Sequence, residues 1–353
     1  MRNANPSRIL TVLIAGIGGG SLGLEIFKSL QYAGGYRLIG TDVSEKAYGL
    51  YEEGFQKTYL LQRAQGPEYA LQLMDICSQE KVDTVAPGAE EVHRILSENR
   101  QLFEREGILL MLNSEEVVDL CSDKTETLKF LKEKGIPVPD TKEVLSEKDV
   151  KGFGKFPCVV KPATSAGGSN MVFVADNEEE AVFFVKYLMQ RGFRASLQEY
   201  KNSREEYTVG VLSAPSGEIV GSIALKRSHE HKLSYVLKYD DMVISSGWSQ
   251  GLIDDFSEVR QQAEHIARVL KSRWALNIQG RLDSQEVFYP FEINPRHSGT
   301  TYLRALAGFN EPHILLQRCL RGYSTSPQPL RKGYYLRSFI EKYVPKEDIK
   351  TYD

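Results

Sequence analysis

Hydrophobic and polar positions divide this chain into segments of different period. Ile9 to Gly16 is a continuous apolar run, the pattern of a strand buried on both faces. A glycine turn follows, then a helical stretch through Leu24, Phe27 and Leu30. Arg37 to Thr41 reads as a second strand, Tyr69 to Gln79 as a helix and Thr84 to Ala86 as a third strand. Val92 to Glu106 reads as a helix and Ile108 to Leu112 as a fourth strand. Strands alternating with helices imply a parallel sheet.

The pattern then changes. Helix starts at Asn113-Ser114 and Ser122-Asp123 lead to a helix over Lys124 to Lys134, stopped by Gly135. Ile136-Pro137-Val138-Pro139 is extended, because a residue before proline avoids helical angles. Beyond it, strands are expected at Pro157 to Lys161, Asn170 to Val174, Ala195 to Tyr200, Tyr207 to Leu212 and Glu218 to Leu225, with a helix at Glu178 to Arg191. This is a small antiparallel α+β unit. Phe256, Val259, Ala263, Ile266, Ala267 and Leu270 share one face of an amphipathic helix. Strands at Leu276 to Leu282 and Val287 to Ile293 follow, then helices at Tyr302 to Ala307 and Pro312 to Arg321. The expected divisions are 1–115, 116–212, 213–330 and a tail, 331–353, rich in tyrosine and charge with no derivable role.

Composition removes several function classes. A net charge of −3 gives no electrostatic case for nucleic acid or an acidic membrane. The first apolar run is too short to span a bilayer, and no cleavable signal is evident. Cys77, Cys121, Cys158 and Cys319 lack CxxC spacing, which argues against a disulfide framework or a zinc site. A reduced, cytoplasmic enzyme is the simplest expectation.

Three segments carry candidate chemistry. Gly18-Gly19-Gly20-Ser21-Leu22-Gly23 matches GxGxxG after a strand, and Asp42 stands where a ribose-binding acid would. Taken alone, this can be read as an NAD-dependent oxidoreductase fingerprint or as a tight strand–helix turn that lets helix and sheet approach closely. In the second segment a strand ends at Lys161 and runs into Thr164-Ser165-Ala166-Gly167-Gly168-Ser169-Asn170. Small residues let backbone N–H groups approach phosphate oxygens, and Lys161 adds a cation. The third is Glu292-Ile293-Asn294-Pro295-Arg296. Alternation puts Glu292, Asn294 and Arg296 on one face of a strand. A hairpin centred between Ser284 and Gln285 would pair Asn277 with Glu292 and bring Gln279 to the same face. One carboxylate and two amide oxygens are hard ligands suited to Mg²⁺. Arg296 offers a planar fork for a phosphoryl or carboxylate group.

These residues, with Ser122-Asp123-Lys124, Gly135 to Pro139, Gln198-Glu199-Tyr200 and Glu206-Tyr207-Thr208-Val209, occur in the order of the ATP-grasp superfamily. The chain resembles that family over about residues 9–320, in the style of the carbamoyl-phosphate synthase large subunit and its small relatives. The resemblance implies an α/β protein: an ATP-grasp fold of two α+β subdomains clasping ATP, preceded by a Rossmann-like parallel domain. It implies ATP with two Mg²⁺ ions, or Mn²⁺, as cofactors. Lys124, Lys161, Ser165, Gly167, Gly168 and Ser169 would serve the ATP phosphates or adenine-side groups. Glu199 and Tyr200 would form the adenine hinge, and Glu206 would hold the ribose. Gln279, Glu292 and Asn294 would hold the metal. Arg296 and Lys161 would be catalytic. Small carboxylate and amine substrates are implied, with a homodimer possible. The expected activity is a carboxylate–amine ligase acting through an acyl phosphate, with carbamoyl-phosphate-type chemistry as the alternative. His297, beside Arg296, reads as either a base or a hydrogen-bonding strand-end residue.

Overall fold

The computed structural model describes residues 8–63, 66–164, 171–201, 203, 205–239 and 242–352. The N-terminal domain is a parallel sheet of β1 (Leu10–Ala15), β2 (Tyr36–Asp42), β3 (Lys57–Leu60), β4 (Thr84–Pro87) and β5 (Leu109–Leu110), ordered β3-β2-β1-β4-β5. All six residues of β1 are buried, as its unbroken apolar run requires. β3 escapes the sequence reading because Lys-Thr-Tyr-Leu is short and lies at an edge. The helix expected over Val92 to Glu106 breaks at Asn99 into Glu90–Glu98 and Arg100–Arg105.

Two antiparallel sheets follow. The smaller joins β6 (Thr141–Val144), β7 (Cys158–Pro162), β8 (Phe173–Ala175) and β9 (Ala195–Glu199) in the order β6-β9-β7-β8, covered by the helix Glu178–Met189. The larger contains β10 (Glu205–Ser213) and β11 (Ile219–Arg227). A separate two-stranded ribbon comprises β12 (Tyr235–Tyr239) and β13 (Met242–Ser245). β14 (Gly251–Ile253), β15 (Ala275–Leu282), β16 (Phe288–Asn294) and β17 (Gly333–Tyr335) complete the large sheet, ordered β16-β15-β10-β11-β14-β17. The expected boundary at 212/213 therefore cuts through the β10–β11 hairpin. The chain passes from one sheet to the other between Glu199 and Glu205. The tail is also part of the fold, since β17 pairs with β14.

Strand alternation gives the large sheet two different faces. Tyr207, Val209, Val211, Ala224, Leu276 and Ile278 pack against Val259, Ala263 and Ile266 of the helix Ser257–Val269. The intervening residues Glu206, Thr208, Asn277, Gln279, Arg281 and Arg227 point the other way. At one end of that polar face Arg304, 1% exposed, donates to Thr208 Oγ1 (3.2 Å), Asn277 Oδ1 (2.6 Å) and Glu311 Oε1 (3.2 Å).

The glycine turn serves the contact between domains. Asp42 is occupied by the backbone: Oδ2 accepts from Ile17 N (2.8 Å) and Oδ1 from Ser44 N (3.0 Å). Gly20 has φ +71°, and a Cβ there would lie 2.3 Å from the Trp248 ring. The dinucleotide fingerprint is thus used for a tight turn under the neighbouring domain. Gly20→Ala should destabilise the protein by about 1–3 kcal/mol, from overpacking and a left-handed backbone. Denaturant unfolding of the variant checks this.

Candidate active site

A cleft of about 680 Å³ lies between the two antiparallel sheets. Lys124, Lys161, Glu199, Tyr200, Glu206, Gln279 and Glu292, all singled out in the sequence, line it. Val159, Val172, Ile244 and Phe291 form apolar walls. Ser165, Gly167, Gly168 and Ser169 lie outside the described residues.

Lys124 is held at a helix start. Asp123 caps the helix Lys124–Glu133 by accepting from Thr125 N (2.9 Å) and Glu126 N (3.0 Å), and Lys124 N donates to Ala163 O (2.9 Å). Lys124 Nζ thereby meets Glu292 Oε1 at 3.1 Å. Lys161, buried in β7, donates to Gln198 Oε1 (3.0 Å) and Phe291 O (3.3 Å). Burial, then the Lys124 cation, lowers the Lys161 ammonium to about 7, with Glu292 partly opposing. Burial alone would raise the Glu292 carboxyl, but Lys124 and Lys161 outweigh it and hold it at about 2. Glu292 is therefore an anion in the cleft.

The hairpin supporting Glu292 differs from the expected register in an instructive way. Near its tip Gly280 pairs with Pro290 and Arg281 with Tyr289, one residue away from the expected alignment. Continued unchanged, this would turn Glu292 to the opposite face from Gln279. A bulge at Phe291 restores the parity, so Gln279 stands opposite Glu292 and Asn277 opposite Asn294. The bulged residue supplies the carbonyl that Lys161 binds.

Arg227 and Arg281 organise the floor of the cleft. Glu206, 2% exposed, accepts from Arg227 Nη1 (3.0 Å) and Arg281 Nη2 (3.0 Å). Arg227 also donates to Gln279 Oε1 (2.9 Å) and Ser245 Oγ (2.8 Å), and bonds Ser249 Oγ and Ser246 O. Arg281 lies over the Tyr200 ring at 4.0 Å and donates to Lys201 O (3.0 Å) and Val243 O (2.7 Å). Sequence reading missed Arg281. The signal for Arg281 was available, because it lies two residues after Gln279 and shares its face.

Two expected residues lie away from the cleft lining. Asn294 is 7% exposed, with Oδ1 3.4 Å from Arg296 Nη2. Arg296 points to the N-terminal domain, donating to Glu90 Oε2 (2.7 Å) and His297 O (3.0 Å). Glu199 Oε2 accepts from Asp140 N (3.2 Å), and Tyr200 OH from Val243 N (2.7 Å), fixing the strand end that closes the apolar slot. His297 is buried beside Glu311 at 3.5 Å, which fits the hydrogen-bonding reading.

Glu292 with the amides of Gln279 and Asn294 fits a hard divalent cation by donor type, with Glu292 as the anionic member. Among the described residues, no three His, Cys, Asp or Glu side chains gather as a metal site. Ligands beyond these three would come from bound phosphate and water. No helix among the described residues is long and apolar enough to cross a membrane.

Residues 197–340 match the family described as ATP-grasp in the biosynthetic pathway with Ter operon, and residues 12–111 match the PylC-like N-terminal domain. The chain is 30% identical to D-alanine–D-alanine ligase of Aquifex aeolicus over 115 residues, 32% of this chain and 39% of that protein. It is 24% identical to the carbamoyl phosphate synthase large chain of Thermoanaerobacter sp. over 209 residues, 58% of this chain and 19% of that one. It thus spans well under half the length of either. Biotin carboxylase of Campylobacter jejuni, solved as a β,γ-ATP complex, shares the fold at a TM-score of 0.68 and 17% identity, over 92% of this chain and 74% of that one. The paired antiparallel sheets, with the Lys124–Lys161–Glu292 cluster between them, go with an ATP-grasp family match over residues 197–340 and a PylC-like N-terminal domain match over residues 12–111.

Proposed function

We propose that this protein is an ATP-dependent ligase that activates a small carboxylate as an acyl phosphate for attack by an amine. The observation that carries the reading is the convergence of two lysines and one ionised carboxylate at the polar end of an apolar slot. The slot suits an adenine ring, with the Glu199–Tyr200 strand end as its hinge. Glu206 serves the ribose side, although Arg227 and Arg281 both hold it, so it acts as much through them as directly. Ser165, Gly167, Gly168 and Ser169 complete the phosphate cradle in this reading.

ATP and carboxylate are both anions, so charge is the main obstacle to their reaction. Lys124 and Lys161 neutralise and align the phosphates. Glu292, with Gln279 and Asn294, holds Mg²⁺, two ions being expected and Mn²⁺ a substitute. Bound there, the metal supplies charge neutralisation on the phosphates. Arg296, anchored by Glu90, steadies the transferring group where the N-terminal domain meets the cleft. The carboxylate oxygen bonds to the γ-phosphorus and ADP leaves. The amine then attacks the acyl carbon, and phosphate leaves with the carboxylate's oxygen.

Phosphate anions beside Lys161 restore its ammonium. At pH 8 a lysine titrating at about 7 is mostly neutral, so ATP binding should take up about 0.9 proton. Above pH 7, affinity should fall roughly tenfold per pH unit. Titration calorimetry in buffers of different ionisation enthalpy checks both, and Lys161→Met should remove both.

The activity itself is tested by ADP and phosphate release with Mg-ATP and pooled carboxylates, with and without amines. Release that requires one acid and one amine is expected. ATP binding with no release from any pool would favour a nucleotide-binding protein instead.

A further inference from the structure

One side chain of the C-terminal tail joins three separate segments of the chain. Beyond β17 the chain leaves the large sheet and runs onto the N-terminal domain. There Lys342 Nζ donates to Tyr51 O (2.7 Å), Lys350 Nζ to Thr58 O (2.7 Å) and Tyr352 OH to Val43 O (2.5 Å). Midway, Arg337 is only 10% exposed. Its Nη2 reaches Glu25 Oε2 at 2.7 Å, Nη1 lies 3.4 Å from Glu25 Oε1, and Nε donates to Ser249 O at 3.1 Å. Nη2 also bonds Gly299 O, and the Arg337 backbone N–H meets Gln250 Oε1 at 3.1 Å.

Each partner lies in or beside a segment that carries a residue already described. Glu25 stands in the first turn of the helix that follows the glycine turn, and is 4% exposed. Gly299 lies three residues beyond Arg296 in the loop that ends the metal strand. Ser249 bonds Arg227, which holds Glu206 and Gln279. Trp248, with its ring 5.7 Å from the Arg337 guanidinium, covers Gly20. A planar fork can hold a carboxylate and two carbonyls in fixed relative positions, which a point-charge ammonium cannot do.

We propose that Arg337 is a positioning residue: it locks the glycine turn, the Trp248–Gln250 segment and the Arg296–Thr301 loop into the arrangement that receives the non-nucleotide substrates. The guanidinium is committed to protein groups, so it acts through those loops. The role assigned to these segments rests on the ligase reading above, in which Arg296 steadies the transferring group where the N-terminal domain meets the cleft.

Arg337→Lys tests this in the full chain. The lysine keeps a cation beside buried Glu25, which Lys28 also pairs, so folding is preserved while the bridge to Gly299 and Ser249 is lost. Amide hydrogen exchange should quicken about tenfold or more in segments 18–25, 246–250 and 296–301. It should be unchanged in 124–133 and 195–199. With the acid–amine pair that supports release, KM for those substrates should rise about tenfold, and KM for ATP should stay within about twofold. Unchanged exchange in the three segments, or a uniform increase across the chain, would overturn the proposal. So would selective exchange accompanied by an equal rise in KM for ATP. If the wild-type protein releases no ADP with any pair, the ligase reading fails, and the exchange pattern still decides whether Arg337 locks the loops.

Discussion

Glu292→Ala should lower turnover by roughly 10³-fold while the protein remains folded. The side chain is 25% exposed to the cleft, whereas its neighbour Ile293 packs into the core beneath the large sheet. Alternation therefore separates function from stability within two adjacent residues. Without the carboxylate, Lys161 loses an anion that favours its charged form and titrates still lower. It then becomes neutral rather than remaining an unpaired buried cation. The unfolding free energy should change by no more than about 1 kcal/mol. Turnover and denaturant unfolding on the same preparation check the pair of expectations. Undiminished turnover would remove Glu292 from the site.

Arg304→Met has the opposite signature. Arg304 and Glu311 are each 1% exposed, and Arg304 also ties β10 to β15 through Thr208 and Asn277. Methionine fills much of the volume but leaves the Glu311 carboxylate buried without its main counter-charge. Breaking one side of such a pair costs about 3–5 kcal/mol. Denaturant unfolding should show that loss. The cleft residues lie farther along the same face, so the fraction that stays folded should retain ATP affinity. A loss under about 1 kcal/mol would mean that Glu311 finds another partner or a proton.

Long periodic segments were legible from sequence because their burial is one-sided or complete. β1, the helix Ser257–Val269 and the hairpin strands β15 and β16 fall within two residues of expectation. The pieces missed are β3, β6, β12, β13, β14 and β17, all short; β3, β6, β14 and β17 pair with strands distant in the chain, while β12 and β13 pair with each other. β17 makes the point: Gly-Tyr-Tyr carries no alternation of its own and is a strand because β14 is beside it.

The candidate site was legible where spacing and charge type agree. Lys124, Lys161, Gln279 and Glu292 do meet in one cleft, but the register of β16 was only half foreseen. A hairpin register cannot be counted from its turn when a bulge intervenes, and Phe291 is such a bulge. Arg296 read as a fork over the phosphates, and its contact with Glu90 depends on domain packing that no local pattern encodes. The GxGxxG turn misleads for the same reason. Its residues fit a dinucleotide, but Trp248 occupies the space beside Gly20 and backbone amides occupy Asp42.

The central claim is the acyl phosphate, and oxygen transfer tests it most directly. The carboxylate found in the release screen would be labelled with ¹⁸O at both oxygens, and the phosphate product analysed by mass after turnover with unlabelled ATP and amine. The account predicts one ¹⁸O atom in each phosphate released, because the carboxylate's oxygen leaves with the phosphoryl group. Phosphate free of label, formed alongside the ligated product, would contradict it.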